Sequence, residues 1–394
     1  MYLTAQKAAD ALGITKATLY AYKSRGQLRS EPVPGQPKEH RYAREDIERL
    51  RERKEARRDP AKAAARGLNW GSPVLDSGIT CIHDGRLYYR GRDAIELAKT
   101  ASLEETACLL WNVEQLPAHA SPLPGNLLTH LRACTKDAFT LMQAALPIAA
   151  AADLSSYDLR PTSVANTGSR ILRLLTSLAA GRDSAAPAHL ALQAAWARGN
   201  AAAGQAIRAA LVLCADHELN VSAFTARCTA SAGAPPYDVV SAALATLKGS
   251  KHGGMTQRVA SLFAEAGAPR RARATIASRL RRGEPIAGFG HRLYPQGDPR
   301  AALLMHLAEH SGNNVEWRLT RSLTKAGLDL LEEHPTVDFA LVAMARAYKL
   351  PEHAPLILFA LGRSTGWIAH AIEQYAAGDL IRPRARYTGP PITP

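Results

Sequence analysis

Four short stretches of the 394-residue chain carry side chains suited to polar chemistry. "ADHELN" puts His217 and Asn220 three residues apart, thus on one helical face. A buried, hydrogen-bonded histidine fits that pattern as well as a ligand does. "LKGSKHGG" sets His252 between a basic stretch and two glycines that permit a turn and close backbone approach. An imidazole there can trade protons near neutral pH, although a loop histidine with no role fits equally. "GFGHRLYPQGDPR" places His291 after Gly288-Phe289-Gly290, so backbone amides can face a ligand, and Arg292 and Arg300 follow to meet anions. "HPTVDF" offers Asp338 amid apolar residues, where desolvation makes a carboxylate a stronger base; standing alone such a residue is more often a helix cap.

These groups need a scaffold. From residue 95 onward, Ala- and Leu-rich segments such as "LAKTASLEETACLLWN" and "RLTRSLTKAGLDLLEEH" space apolar residues at i, i+3, i+4 and are separated by Pro and Gly. The spacing predicts a mainly α body. Ahead of it, "GITCIHDGRLYYRGRD" alternates well enough to predict a small hairpin about Asp84-Gly85. The length suggests two or three domains. Cys81, Cys108, Cys134, Cys214 and Cys228 lie far apart with no CxxC or Cys/His ligand spacing, so reduced thiols and no metal are expected. The start "MYLTAQKAADALG" lacks the basic-then-apolar pattern of a signal peptide, and no apolar run approaches the roughly 18 residues that span a bilayer. A cytoplasmic protein without a membrane partner is the expectation.

The net charge of +14 favours a polyanionic partner, with nucleotides, CoA and nucleic acid all qualifying. Residues 1–66 hold 16 Lys/Arg against 9 Asp/Glu, so half of the excess lies there. In that segment Thr4 can cap a helix over 5–12, Gly13 can supply a turn, and Thr15 can cap a second helix over about 16–25. Ala8, Ala9, Leu12 and Leu19 would pack together, leaving Lys16, Thr18, Tyr22 and Lys23 outward. "RSEPVPGQPKEHRY" reads as a hairpin wing, and "AREDIERLRERKEARR" as a further charged helix. Residues 1–58 thus resemble the winged helix-turn-helix of MerR-like regulators and excisionases. That resemblance implies possible DNA contacts from Lys16, Thr18, Tyr22, Lys23, Arg25 and Arg41. An accessory or dimerisation cap is the alternative. Residues 59–66 are expected to be a linker.

Taken in order, His217, His252, His291 with Arg300, Asp338, "LFALGRSTGWIAHAIEQ" and "RPRARYTGP" resemble the citrate synthase family over about residues 67–389. "GRLYYRGRDAIELA" strengthens the likeness. The resemblance implies a helical fold with a large domain over 67–253 and 351–394, a small domain over 254–350, and a homodimer. It implies that His252 polarises an acyl-CoA thioester, that Asp338 removes the α-proton, and that His291 polarises the ketone of oxaloacetate beside His217. Arg300, Arg363 and, from the partner subunit, Arg382 would bind carboxylates. Gly288, Phe289, Gly290 and Arg292 would lie along CoA. Arg363 and Trp367 would be ligand-facing and packing residues respectively, with His370 structural. The thioester would be a co-substrate, with no permanently bound cofactor.

The chain departs from the family pattern at Thr336, where Asn is usual, at Ala340-Leu341, where a polar pair is usual, at Lys251, and at Met255-Thr256. These changes flank the acid and the base and bear on acyl-CoA choice and rate. Acetyl-CoA and propionyl-CoA both remain open, giving citrate or 2-methylcitrate. A second reading is a DNA-binding transcriptional regulator that uses the same body as a metabolite sensor.

Overall fold

The computed structural model describes residues 2–25, 27–33, 36–44, 46, 47, 50, 75–117, 125–385 and 387–391. The chain divides into two compact units, Met1–Asp76 and Ser77–Pro394.

The first unit runs β1 (Tyr2–Thr4), α1 (Ala5–Leu12), α2 (Lys16–Ser24), β2 (Ser30–Val33) and β3 (Gln36–Ala43), with an antiparallel sheet in the order β1-β3-β2. The Thr4 hydroxyl accepts from Lys7 N and that of Thr15 from Thr18 N, satisfying amides that each helix start leaves unpaired. Gly13 ends α1 at φ 58°, a left-handed conformation that glycine adopts without cost. Ala8, Ala9, Leu12, Leu19, Leu28, Tyr42 and Ile47 form the core. One expectation is corrected: Tyr22 is half-buried against that core and Lys23 is half-buried, whereas Tyr20 is 50% exposed. The helical period places residue 22, three after buried Leu19, toward the same face. Lys16, Thr18 and Arg25 are exposed, and Arg41 pairs with Glu31 at 3.0 Å. The expected linker, and the charged helix beyond residue 50, lie outside the described residues.

The second unit opens with a three-stranded antiparallel sheet, β4 (Thr80–His83), β5 (Arg86–Tyr89) and β6 (Arg92–Asp93). The hairpin forms at Asp84 and Gly85, both at positive φ as a two-residue hairpin turn demands. A second tight turn at Arg90 and Gly91 adds β6, which the alternation did not reveal. Helices follow: α3 (Ala94–Thr100), α4 (Leu103–Trp111), α5 (Gly125–Cys134), α6 (Ala138–Ala152), α7 (Pro161–Ala180), α8 (Ala188–Trp196), α9 (Ala201–Leu213), α10 (Val221–Ser231), α11 (Pro236–Leu247), α12 (Met255–Ala266), α13 (Ala272–Arg281), α14 (Pro299–Glu309), α15 (Asn314–Leu331), α16 (Val337–Ala347) and α17 (Ala354–Ala377). Capping is local and legible: Ser102 and Glu105 form a reciprocal capping box at α4, and Asp93 caps α3.

Helix α17 is the central post. Every residue from Ala354 to Ile372 is buried, and it packs on α4, α7, α9, α10 and α11. Its buried residues are mostly apolar, and each fully buried Leu or Ile contributes about 1.5–3 kcal/mol. Gly362 and Gly366 let it approach the end of α9: a Cβ there would stand 2.5 Å from Leu211 O and 2.4 Å from Ala215 O. A second apolar cluster is built from α12, α13, α15 and one side of α16, with Val259, Phe263, Ile276, Phe289, Leu323 and Phe339 among its members. The opposite side of α16, through Val337, Ala340, Leu341 and Met344, belongs to the main core. All five cysteines are free. Among the described residues no helix is long and apolar enough to cross a membrane.

Candidate active site

His217 does not share a helical face with Asn220. α9 stops at Leu213, and Asn220 caps α10 by accepting from Ser222 N (3.1 Å) and Ala223 N (3.2 Å), so 214–219 form a turn. Glu218, at φ 51°, makes the reversal. The turn is tied down from several sides. Tyr89 Oη lies 3.0–3.2 Å from the carbonyls of Val212, Leu213 and Asp216, and Thr80 Oγ1 donates to Asp216 Oδ2 at 2.6 Å. Gly366 N donates to Ala215 O at 3.0 Å, and His370 Nε2 stands 3.3 Å from Asp216 Oδ1. So held, His217 Nε2 meets Tyr294 Oη at 3.0 Å, and its ring stands edge-on to that of His291, 5.2 Å away. Burial, reinforced by the charges of Arg300 and Arg363, keeps the His217 pKa well below its ordinary value, so the ring is neutral.

His252 sits in the turn between α11 and α12. Gly253 and Gly254 are required by close approach, since a Cβ would come within 2.9 Å of Leu247 O at the first and 2.6 Å of Lys248 O at the second. Its Nε2 lies 2.8 Å from Ser222 Oγ, which also contacts Asn220 Oδ1 at 2.8 Å and accepts from Trp367 Nε1 at 3.1 Å. Indole N–H can only donate, and Asn220 Oδ1 already holds two backbone amides. The single Ser222 proton can go to Asn220 Oδ1 or to His252 Nε2; in the second arrangement the ring carries its own hydrogen on Nδ1, as a donor. Burial first, and the Arg363 charge second, bring the His252 pKa down to about 3, so this donor is a neutral imidazole.

His291 is oriented the other way. Leu293 N donates to its Nδ1 at 3.2 Å, which leaves the hydrogen on Nε2, and burial followed by the Arg300 charge lowers its pKa to about 4. The glycines before it do something other than expected. Gly290 N donates to His334 O and Thr336 N to Gly288 O, both at 2.9 Å, while Phe289 bridges to Pro335. The Gly290 amide is thus spent within the protein. Phe289 is buried against Phe339, ring centres 5.1 Å apart, and fills space beside Gly327, so it is a core residue. Gly288 and Gly290, both at positive φ, allow this strand-like segment to cross the start of α16, where a Cβ would strike Val259 and Glu333. Arg292 is exposed.

Arg300 and Asp298 form a buried ion pair whose charges act on Asp338. Asp298 caps α14 and grips the Arg300 fork, Nε to Oδ1 at 2.9 Å and Nη2 to Oδ2 at 2.7 Å. It also accepts from Val337 N at 3.2 Å, fixing the start of α16. Burial opposes the Arg300 charge, but the Asp298 carboxylate outweighs it and raises the pKa. Asp338 follows in the first turn of α16. Its residue is half-buried, yet its Oδ1 is closed off from solvent and makes no hydrogen bond. Burial raises its pKa to about 6, against the opposing pull of Arg300. Thr336 Oγ1, at the position that caps α16, is likewise buried without a partner. Arg363, buried in α17, donates from Nε to Cys214 O at 2.8 Å and lies over Phe359. Arg382 is on an exposed extended segment after α17.

Two neutral imidazole donors, a desolvated carboxylate and two buried guanidiniums suit proton abstraction beside a carbonyl in an anionic ligand. Ser222, Tyr294 and Asp298 act on these groups and were missed. Ser222 had no recognisable spacing. Asp298 was signalled by the Asp-Pro at a helix start, which reads as a cap and nothing more.

A family model described as "Citrate synthase, C-terminal domain" matches residues 67–384. A citrate synthase of Haloferax volcanii is 31% identical over 362 residues, spanning 82% of this chain and 95% of its own. Citrate synthase 2 of Bacillus subtilis is 28% identical over 359 residues, spanning 83% and 96%. The structure of Thermoplasma acidophilum citrate synthase in ternary complex with carboxymethyl coenzyme A and oxaloacetate matches with a TM-score of 0.72 at 26% identity, covering 84% of this chain and 97% of that one. With both the family model and a relative above 30% identity extending over most of the molecule, the chain belongs to the citrate synthase family and is a citrate synthase-type enzyme.

Proposed function

We propose that the protein condenses acetyl-CoA, or propionyl-CoA, with oxaloacetate to give citrate, or 2-methylcitrate, and CoA. The observation that carries this is Asp338: a carboxylate whose buried Oδ1 has no partner and whose pKa is raised to about 6 is a base without an internal occupation. Asp338 takes the proton α to the thioester, and His252 Nδ1–H donates to the thioester oxygen as charge develops there. Neither suffices alone, because the carbanion must be delocalised onto an oxygen that meets a fixed donor. The nucleophilic carbon then attacks the ketone of oxaloacetate, whose oxygen His291 Nε2–H supports beside His217. Arg300, Arg363 and the partner subunit's Arg382 hold the carboxylates, and a water hydrolyses the thioester to release CoA. A homodimer is part of this reading. So is a small domain over 254–350 that closes over substrate, which the separate apolar cluster supports.

Release of CoA thiol that requires both substrates and disappears in Asp338→Ala is the result expected. A folded protein that binds oxaloacetate yet releases no thiol overturns the proposal.

For residues 1–58 we propose a MerR-like winged helix-turn-helix, supported by the capped α1–α2 pair and by β2 and β3, which follow it and pair as a hairpin. DNA contact by Lys16, Thr18 and Arg25 is the alternative role, tested by duplex binding that weakens steeply with salt. Action in the cytoplasm is proposed from the five free thiols.

A further inference from the structure

We propose that His306, Glu309 and His310, at the exposed C-terminal end of α14, form a binding site for a divalent transition-metal ion. One ligand atom from each of the three lies within 4.8 Å of the others, and all three residues are exposed. Among the described residues no other trio of His, Cys, Asp or Glu comes as close. The expectation that no metal binds was drawn from cysteine spacing and did not weigh this i, i+4 histidine pair.

The arrangement has more than proximity. His310 Nδ1 lies 2.7 Å from His306 O. A carbonyl can only accept, so Nδ1 carries the hydrogen and the lone pair of the neutral ring is on Nε2. A ring nitrogen held by a backbone carbonyl, with the other nitrogen bare, is the support that metal-bound histidines commonly have. The two rings are 4.4 Å apart, centre to centre. Metal–nitrogen and metal–oxygen bonds of about 2.0–2.2 Å bring ligand atoms to roughly 3.3 Å from one another in a tetrahedral site. Rotation of the exposed His306 and Glu309 side chains covers that difference while His310 keeps its bond to His306 O. Two imidazoles and a carboxylate select Zn2+, Ni2+, Co2+ or Cu2+ over Mg2+ or Ca2+, which favour sets made of oxygen alone. Three protein ligands leave at least one position for water.

The test is calorimetric titration of Ni2+ into full-length, tag-free, metal-stripped protein at pH 7.5, beside H306A, H310A, E309Q and H306A/H310A. Nickel is chosen because imidazole suits it. The expected result is one Ni2+ per chain beyond anything taken up by the double variant. Affinity should fall about tenfold or more in each histidine variant and a few-fold in E309Q. Added Ni2+ should raise the melting temperature of the parent protein and leave the double variant unmoved. The exposed positions lie outside the proposed catalytic groups, so the double variant should keep the parent circular dichroism and CoA release. Equal Ni2+ uptake by parent and double variant, or single histidine variants that bind as tightly as the parent, would overturn the proposal.

Discussion

Replacing Asp338 by Asn should make the protein inactive and more stable. The side chains have nearly the same volume, so no cavity opens, and the change removes only a charge. Burial lifts the pKa of that carboxyl from 3.8 to about 6 in the folded chain. At ~1.4 kcal/mol per tenfold change in proton affinity, holding it ionised costs the fold about 3 kcal/mol at pH 7.5. The folded value lies above the unfolded one, so the penalty is full above pH 6, falls to about half near pH 5, and is nearly gone below 3.8. Losing a negative group in the first turn of α16 takes back about 0.3–1 kcal/mol. A net gain of about 2–3 kcal/mol remains. With ~2.1 cal/mol/K per residue, a unit the size of Ser77–Pro394 should melt about 3–4 °C higher. Calorimetric scans at pH 7.5 and pH 5 read the gain and its narrowing. CoA release should fall by about 10^2 or more. An Asn variant that melts no higher than the parent at pH 7.5, or a gap that stays as wide at pH 5, would refute the assignment of Asp338 as a strained, desolvated base.

Three further perturbations follow from the same contacts. Ser222→Ala frees His252 Nε2 and orphans Trp367 Nε1; losing a hydrogen bond of about 1–1.5 kcal/mol that selects the Nδ1–H form should lower kcat about tenfold with the oxaloacetate KM within twofold, while nitrogen-15 NMR of the ring reports a changed tautomer. An unchanged kcat would remove Ser222 from the account. Asp298→Asn leaves the buried Arg300 charge without its carboxylate and should destabilise by about 3–5 kcal/mol in urea titrations, a loss under about 1 kcal/mol being inconsistent with the pair as drawn. Gly366→Ala drives a methyl group to within 2.5 Å of Asp216 Oδ1 and should cost about 1–3 kcal/mol, with the loss visible as a lowered melting temperature.

What could be read from residue order alone was what is local. Thr4, Gly13 and Thr15 marked the ends of α1 and α2, and Asp84-Gly85 marked its hairpin, because caps and two-residue turns are settled by neighbours a few positions away. Grouping His217, His252, His291 and Asp338 rested on family resemblance, since no periodicity brings residues 217 and 338 together. The errors have a common source. His217 was placed on a helix face because spacing of three suits a helix, yet Asn220 spends its side chain as a cap. Gly288-Phe289-Gly290 looked like an amide nest, yet the Gly290 amide donates to His334 O and the Gly288 carbonyl accepts from Thr336 N, both more than forty residues onward. Asp298 reads as a cap and is one, but its second oxygen reaches Val337, a long-range contact that no window contains.

The burial of α17 bears on how the chain is made. It is the post around which α4, α7, α9, α10 and α11 assemble, and it is encoded after all of them. α11 ends at Leu247 and α17 at Ala377, about 130 residues apart. At 5–20 residues per second, the ribosome needs roughly 7–26 s to deliver the post after the helices that surround it. Throughout that interval the faces they turn toward α17 lack that partner, so the nascent chain exposes apolar surface between those two points of its synthesis.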